Sequence, residues 1–218
     1  MLTRFAKATF YAVAGPLMWA NGRLYRSLRA PQSGIQRVHL GPGQRNYLPG
    51  WINVDANMFT AKCDIWTDFS SSLPFRDNSI DALYSHHVIE HLPDLDRHFR
   101  EAYRCLKPGG VYRVGGPNAD SAIRKFLDND RSWFKDWPEQ RQSIGGKLNN
   151  FLLCRNEHLA ILTKSFLFEL MESAGFRQIE TRLPKRETGW PDLFRSCLER
   201  EREDDSASPR TLFVEGAK

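Results

Sequence analysis

Cysteine is scarce and scattered. The 218 residues contain four, Cys63, Cys105, Cys154 and Cys197, with no C-x-x-C pair among them. That spacing excludes a zinc ribbon and a disulfide framework, and a reducing, cytoplasmic setting is expected. Acid is missing from the first thirty residues, which hold Arg4, Lys7, Arg23, Arg26 and Arg29. Those five account for the net charge of +5, and the remaining 26 basic residues balance the 26 acids. A neutral body gives no distributed basic face, so no nucleic-acid partner is expected. Long apolar runs are missing too. The uncharged stretch Ala8 to Gly22 is interrupted by Gly15-Pro16 and is too short to span a bilayer. Arginines follow it closely and no small-x-small site ends it, so it does not read as a signal peptide. With neither repeats nor low-complexity tracts, a chain of this length buries one ordinary core without staples.

Residues 1–33 form a basic segment of their own. Val13, Leu17, Ala20, Leu24 and Leu28 recur at three- to four-residue spacing, which predicts an amphipathic helix in at least its second half. The helix is expected to pack on its own domain or on another subunit, because apolar stripes usually mark buried faces. Peripheral contact with an anionic membrane is the alternative.

From residue 34 to 218 the pattern changes to short apolar runs alternating with helical stretches, as in a parallel sheet flanked by helices. Strands are expected at Gln36 to Leu40, Trp51 to Val54, Cys63 to Trp66, Ala82 to Tyr84, Val111 to Val114, near Phe176 to Thr181, and at Thr211 to Glu215. Helices are expected at Leu95 to Leu106, stopped by Lys107-Pro108-Gly109-Gly110, and at Phe166 to Ala174, closed by Gly175. The aromatic-rich region of about 118–160 reads as an insertion or lid whose aromatics are core or substrate wall. The charged run Glu199 to Ser208 reads as a solvated tip or loop.

Ligands of open parallel sheets bind beyond the carboxyl ends of the strands. At the first tip, Gly41-Pro42-Gly43 permits a tight turn with no Cβ between backbone and ligand. At the second, Asp55 can accept hydrogen bonds from both ribose hydroxyls of a nucleoside cofactor. A dinucleotide site would show a third glycine where Asn46 stands, and its acid would follow later. Taken alone, the glycine turn is a turn and Asp55 a helix cap or turn acid.

Four segments occur in order: Leu40-Gly41-Pro42-Gly43; Gly50-Trp51-Ile52-Asn53-Val54-Asp55; Leu73-Pro74-Phe75-Arg76-Asp77-Asn78-Ser79-Ile80-Asp81-Ala82; and His87-Val88-Ile89-Glu90-His91-Leu92 leading to Leu106-Lys107-Pro108-Gly109-Gly110. From Val38 to Pro117 the chain thereby resembles the class I S-adenosylmethionine-dependent methyltransferases, and within them the compact bacterial branch with a GWINVD second strand. The resemblance implies a Rossmann-like, mostly parallel sheet with an antiparallel last strand. It implies S-adenosyl-L-methionine as cofactor, with Gly41 and Gly43 at its methionine part, Asp55 at the ribose, Asp68 and Phe69 at the adenine, and Ser85 and His86 near the methyl group. The chain departs from the family at His39, where an acid is usual, and at Arg45, the place of the motif's third glycine. Only Gln44 to Pro49 separate the turn from the second strand, leaving little room for the usual first helix.

His87, Glu90 and His91 also fit the H-x-x-E-H pattern of zinc hydrolases. Pro93 cuts that helix short, no third ligand is apparent, and the family pattern accounts for the same residues, so no metal is expected. For methyl transfer to a hydroxyl, the base candidates are His86, His87 and His158, since histidine titrates near neutrality. The resemblance suggests a small-molecule or glycan acceptor, such as a sugar hydroxyl or lipid-linked glycan of surface polysaccharide synthesis. A non-catalytic scaffold that keeps the fold is the rival reading.

Overall fold

The computed structural model describes residues 4–29, 34–57, 59, 61–201 and 205–218. Seven strands form one sheet: β1 (Arg37–Leu40), β2 (Ile52–Asp55), β3 (Ile65–Trp66), β4 (Ile80–His86), β5 (Leu106–Pro117), β6 (Arg177–Arg182) and β7 (Thr211–Ala217). Their order is β3-β2-β1-β4-β5-β7-β6. Strands β1 to β5 pair in parallel, and β7 inserts antiparallel between β5 and β6. The fold is therefore the expected Rossmann-like sheet with an antiparallel last strand.

Both faces of the central strands are covered, which is why they read as continuous apolar runs instead of alternating ones. On one face, Val38, Leu40, Leu83, Tyr112 and Val114 pack with α2 (Leu95–Cys105) and α5 (Lys164–Ala174). Asp94 starts α2 by accepting the Arg97 N–H, Thr163 starts α5 by accepting that of Phe166, and Gly175 ends α5 at φ +108°. On the other face, α6 (Pro191–Leu198) sets Phe194 and Cys197 against Trp51, Tyr84 and Phe213.

The N-terminal helix α1 (Arg4–Leu24) continues as a π-helical turn, Tyr25–Arg29. It runs unbroken through Pro16, although an interior proline removes a backbone bond at about 3 kcal/mol. Packing offsets this cost, since Ala14, Met18 and Gly22 are buried against the domain. Thr67 Oγ1 donates to the Met18 carbonyl at 2.9 Å, and Asn21 Nδ2 to that of Trp66 at 2.7 Å. A Cβ at position 22 would stand 2.7 Å from Thr67 Oγ1. The helix thus packs on its own domain, but through a face beside the expected stripe. Val13, Leu17, Ala20, Leu24 and Leu28 all point outward, with Val13 71% and Leu28 75% exposed.

The region after β5 folds as α3 (Ala119–Leu127) and α4 (Ile144–Leu153) with short 3-10 turns. Ala122, Trp133 and Phe134 are buried there among Phe126, Leu148 and Phe151, so most of its aromatics form a small core of their own. The charged run Glu199 to Ser208 is not simply solvated. Glu201 is buried, because Arg113 on central strand β5 is buried and needs a counter-charge. Residues 202–204 of that run lie outside the described residues.

Candidate functional site

At the tip of β1, Gly41 and Gly43 adopt φ of +67° and +55°, a region that side chains disfavour. A Cβ on Gly41 would lie 2.4 Å from Val88 Cγ2, whereas one on Gly43 would meet nothing within 4 Å. The Gly43 N–H donates to Asp55 Oδ2 at 3.0 Å and the Asn57 N–H to Asp55 Oδ1 at 2.8 Å. Turn and acid therefore form one unit at adjacent strand ends. Burial raises the Asp55 carboxyl pKa, and its bonds from Asn57, Gly43 and Ala56 N–H groups oppose that rise. With three of its roughly four acceptor sites so used, the carboxylate retains room for a ligand hydroxyl.

Among the described residues no helix joins β1 to β2, as the short spacing implied. The side chain of Asn53 braces the connection, donating to the Leu48 and Trp51 carbonyls at 3.0 and 2.9 Å and accepting from the Leu48 N–H. Its Oδ1 also lies 3.1 Å from His39 Nδ1. Burial lowers the His39 pKa to about 4, so this histidine is a neutral member of the loop brace.

Past β3, Asp68 is half-buried and accepts the Ser70 N–H at 2.9 Å. Phe69 is buried in the main core. Helix α1 adds a residue that the sequence did not single out. The Tyr11 phenol pKa is raised by burial and then by the charges of Asp68 and Asp55, which puts it within electrostatic reach of both acids.

At the tip of β4 the side chains diverge. The Ser85 hydroxyl turns into the core, 2.8 Å from Tyr112 Oη, which lies 2.8 Å from His98 Nε2. That hydroxyl is engaged beneath the sheet, so what Ser85 presents at the strand tip is its backbone. His86 makes tilted ring contacts with Tyr84, His87 and Phe213, and its Nε2 has no partner among the described residues. Burial, then the charge of His87, holds it well below the ordinary histidine pKa. His87 is turned outward at φ +55°, with its side chain 45% exposed.

His87 Nδ1 lies 3.1 Å from Oε1 of Glu90, whose side chain is fully buried. Burial would raise the Glu90 pKa, but the hydrogen bond and charge of His87, with the charge of His91, bring it below the usual value. This pairing also disposes of the H-x-x-E-H helix. Ile89–His91 is a single 3-10 turn with His87 outside it, so His87 and His91 share no helical face. His158 comes from beyond α4 to face His91, with ring centroids 5.0 Å apart. Its pKa is lowered, first by burial. The chain thus brings His86, His87, Glu90, His91 and His158 to one end of the sheet. The role of Glu90 beside His87 was readable only as i,i+3 spacing.

Residues 55–114 match the family model of the methyltransferase domain. A probable S-adenosylmethionine-dependent methyltransferase of Mycolicibacterium smegmatis is 33% identical over 111 residues, covering 51% of this chain and 34% of that protein. The matched stretch spans less than half the length of this and the other curated relatives. A solved methyltransferase of Thermotoga maritima, described as a possible histamine N-methyltransferase, superimposes with a TM-score of 0.54 at 16% identity, covering 97% of this chain and 95% of that one. One from Archaeoglobus fulgidus gives 0.52 at 15%, covering 99% and 100%. These two show a shared fold.

Proposed function

Given a chain whose residues 55–114 match the methyltransferase-domain model and whose sheet shares the fold of solved methyltransferases, we propose that it transfers a methyl group from S-adenosyl-L-methionine to a hydroxyl acceptor. The observation that carries this is the joined strand tip, where the turn is open at Gly43 and the Gly43 N–H holds Asp55 beside it.

The residues present fit the cofactor. The turn, open at Gly43 and packed on Val88 at Gly41, would take its methionine part, Asp55 would accept from the ribose, and Asp68 would face the adenine. When bound, S-adenosyl-L-methionine supplies a methyl group already activated by its sulfonium. The protein must then align the acceptor and receive its proton. His87 is the residue we assign to that role. Glu90 holds Nδ1, so Nε2, which lies 3.4 Å from Thr211 Oγ1, is the atom that accepts the proton when the acceptor hydroxyl takes the place of Thr211. His86 is enclosed by rings and positions the site. The acceptor we favour is a sugar hydroxyl, free or on a lipid-linked glycan.

Thermal denaturation with S-adenosylmethionine and with its demethylated product tests this reading, because a ligand bound to the folded state raises the melting temperature. Both are expected to raise it, and Asp55→Ala is expected to abolish the rise. A folded protein that responds to neither is a scaffold, and the reading fails.

We also propose that α1 rests on an anionic membrane at the cytoplasmic face. Its outward stripe, with Trp19 55% exposed and Arg23 stacked on it at 4.4 Å, pairs apolar surface with a segment that has five basic residues and no acid. No helix of the described residues is long and apolar enough to cross a membrane. Co-sedimentation with vesicles containing phosphatidylglycerol is expected for the wild type and not for Leu17→Glu/Leu28→Glu. Wild type left in the supernatant would end this proposal.

A further inference from the structure

We propose that Glu90, His91 and His158 form a binding site for a divalent first-row metal ion beside the methyl-transfer cleft. One donor atom from each residue lies within 4.8 Å of the others. Ligands about 2.1 Å from a common ion stand about 3 to 4 Å apart, so small side-chain rotations close the site.

Three observations point to a cation. First, both histidines have Nδ1 at a backbone carbonyl, His91 at Glu157 O (2.9 Å) and His158 at Leu152 O (2.8 Å). Each Nδ1–H donates there, which leaves the Nε2 lone pairs free. This is the arrangement that orients metal-ligating imidazoles. Second, Oε2 of the fully buried Glu90 has no partner among the described residues, while Oε1 is taken by His87. A buried, unpaired carboxylate oxygen is costly, and a cation satisfies it. Third, the backbone clamps the two segments together. Leu159 N–H donates to the Glu90 carbonyl at 2.7 Å, next to the His91–Glu157 bond.

Two imidazoles and a carboxylate suit zinc, cobalt, iron or manganese better than magnesium or calcium. Only three protein ligands are present, and His91 is exposed, so coordination positions stay open to solvent. On the function proposed above, those positions fit two adjacent acceptor oxygens, as in a vicinal diol. The ion would lower the pKa of the hydroxyl whose proton His87 receives. The H-x-x-E-H pattern pairs His87 with His91; the fold replaces His87 with His158.

Chelator-treated full-length protein, titrated with Co2+ alone and followed by calorimetry and visible absorption, tests the site. One equivalent is expected to bind with visible bands of a nitrogen- and oxygen-ligated ion. His91→Ala and His158→Gln are each expected to weaken binding more than about tenfold. Circular dichroism of the variants separates ligand loss from unfolding. If folded wild type takes up no Co2+, or if two folded variants bind it as tightly, the proposal is overturned. The S-adenosylmethionine thermal shift is a separate readout: a shift without metal uptake sinks the metal site alone, and metal uptake without a shift sinks the methyltransferase reading alone.

Discussion

Gly43 donates its backbone N–H to Asp55 Oδ2 across 3.0 Å, joining two strand tips twelve residues apart in the chain. Replacing Asp55 by Ala removes the acceptor for this N–H and for that of Asn57, a destabilisation of about 1 to 3 kcal/mol. Asp55→Asn keeps one acceptor oxygen, so it is expected to lose less stability in urea denaturation. Both are expected to bind S-adenosylmethionine far more weakly, by calorimetry.

The two glycines of the turn separate packing from ligand access. Gly41→Ala meets Val88 at 2.4 Å and also sits at positive φ, so a loss of about 2 to 4 kcal/mol is expected. Gly43→Ala meets nothing, so only the backbone strain of about 1 to 2 kcal/mol is expected. Its methyl group would occupy the open side of the turn. The expected signature is near-normal stability with the cofactor-induced melting shift largely lost.

Arg113 is fully buried on β5, with Nε and Nη2 bonded to the two Glu201 oxygens at 2.8 Å each and Nη1 to Glu215 at 2.6 Å. Breaking such a network from one side strands a charge. Glu201→Ala is expected to cost about 3 to 5 kcal/mol in urea denaturation. Arg113→Met, which leaves two buried acids, is expected to cost at least as much. Adding Glu201→Leu and Glu215→Leu to Arg113→Met is expected to recover much of the loss, because no buried charge then lacks a partner.

His39 and His98 are both buried, and burial lowers each to about 4 from an unfolded value near 6.5. In the folded state they stay neutral where the unfolded chain takes up protons. Stability is therefore full above about pH 6.5 and is lost as pH falls toward 4, by roughly 3 kcal/mol per histidine at most. His98→Leu is expected to flatten this acid limb in pH-dependent urea denaturation.

Much of the fold was legible because it is written in local pattern. Apolar runs bounded by Gly, Pro and Asp placed all seven strands to within a few residues, and Gly175 and the Lys107-Pro108-Gly109-Gly110 stop ended two helices close to where expected. The glycine turn and Asp55 were legible for the same reason, since backbone freedom and a strand-tip carboxylate are properties of residue type and spacing.

What the sequence alone determined is the order of the elements and the place of the glycine turn and Asp55 at the first two strand tips, because these depend on neighbours within a dozen residues. Tertiary structure decided the rest. Glu201 is a buried counter-ion only because Arg113 lies 88 residues away on a central strand. The outward stripe of α1 is set by which helix face Thr67 and Trp66 engage. His158 joins Glu90 and His91 because the Leu159 N–H bond to the Glu90 carbonyl and the His91 bond to Glu157 hold the segment after α4 at the β4 tip, and no pattern along the chain encodes a meeting of segments more than sixty residues apart.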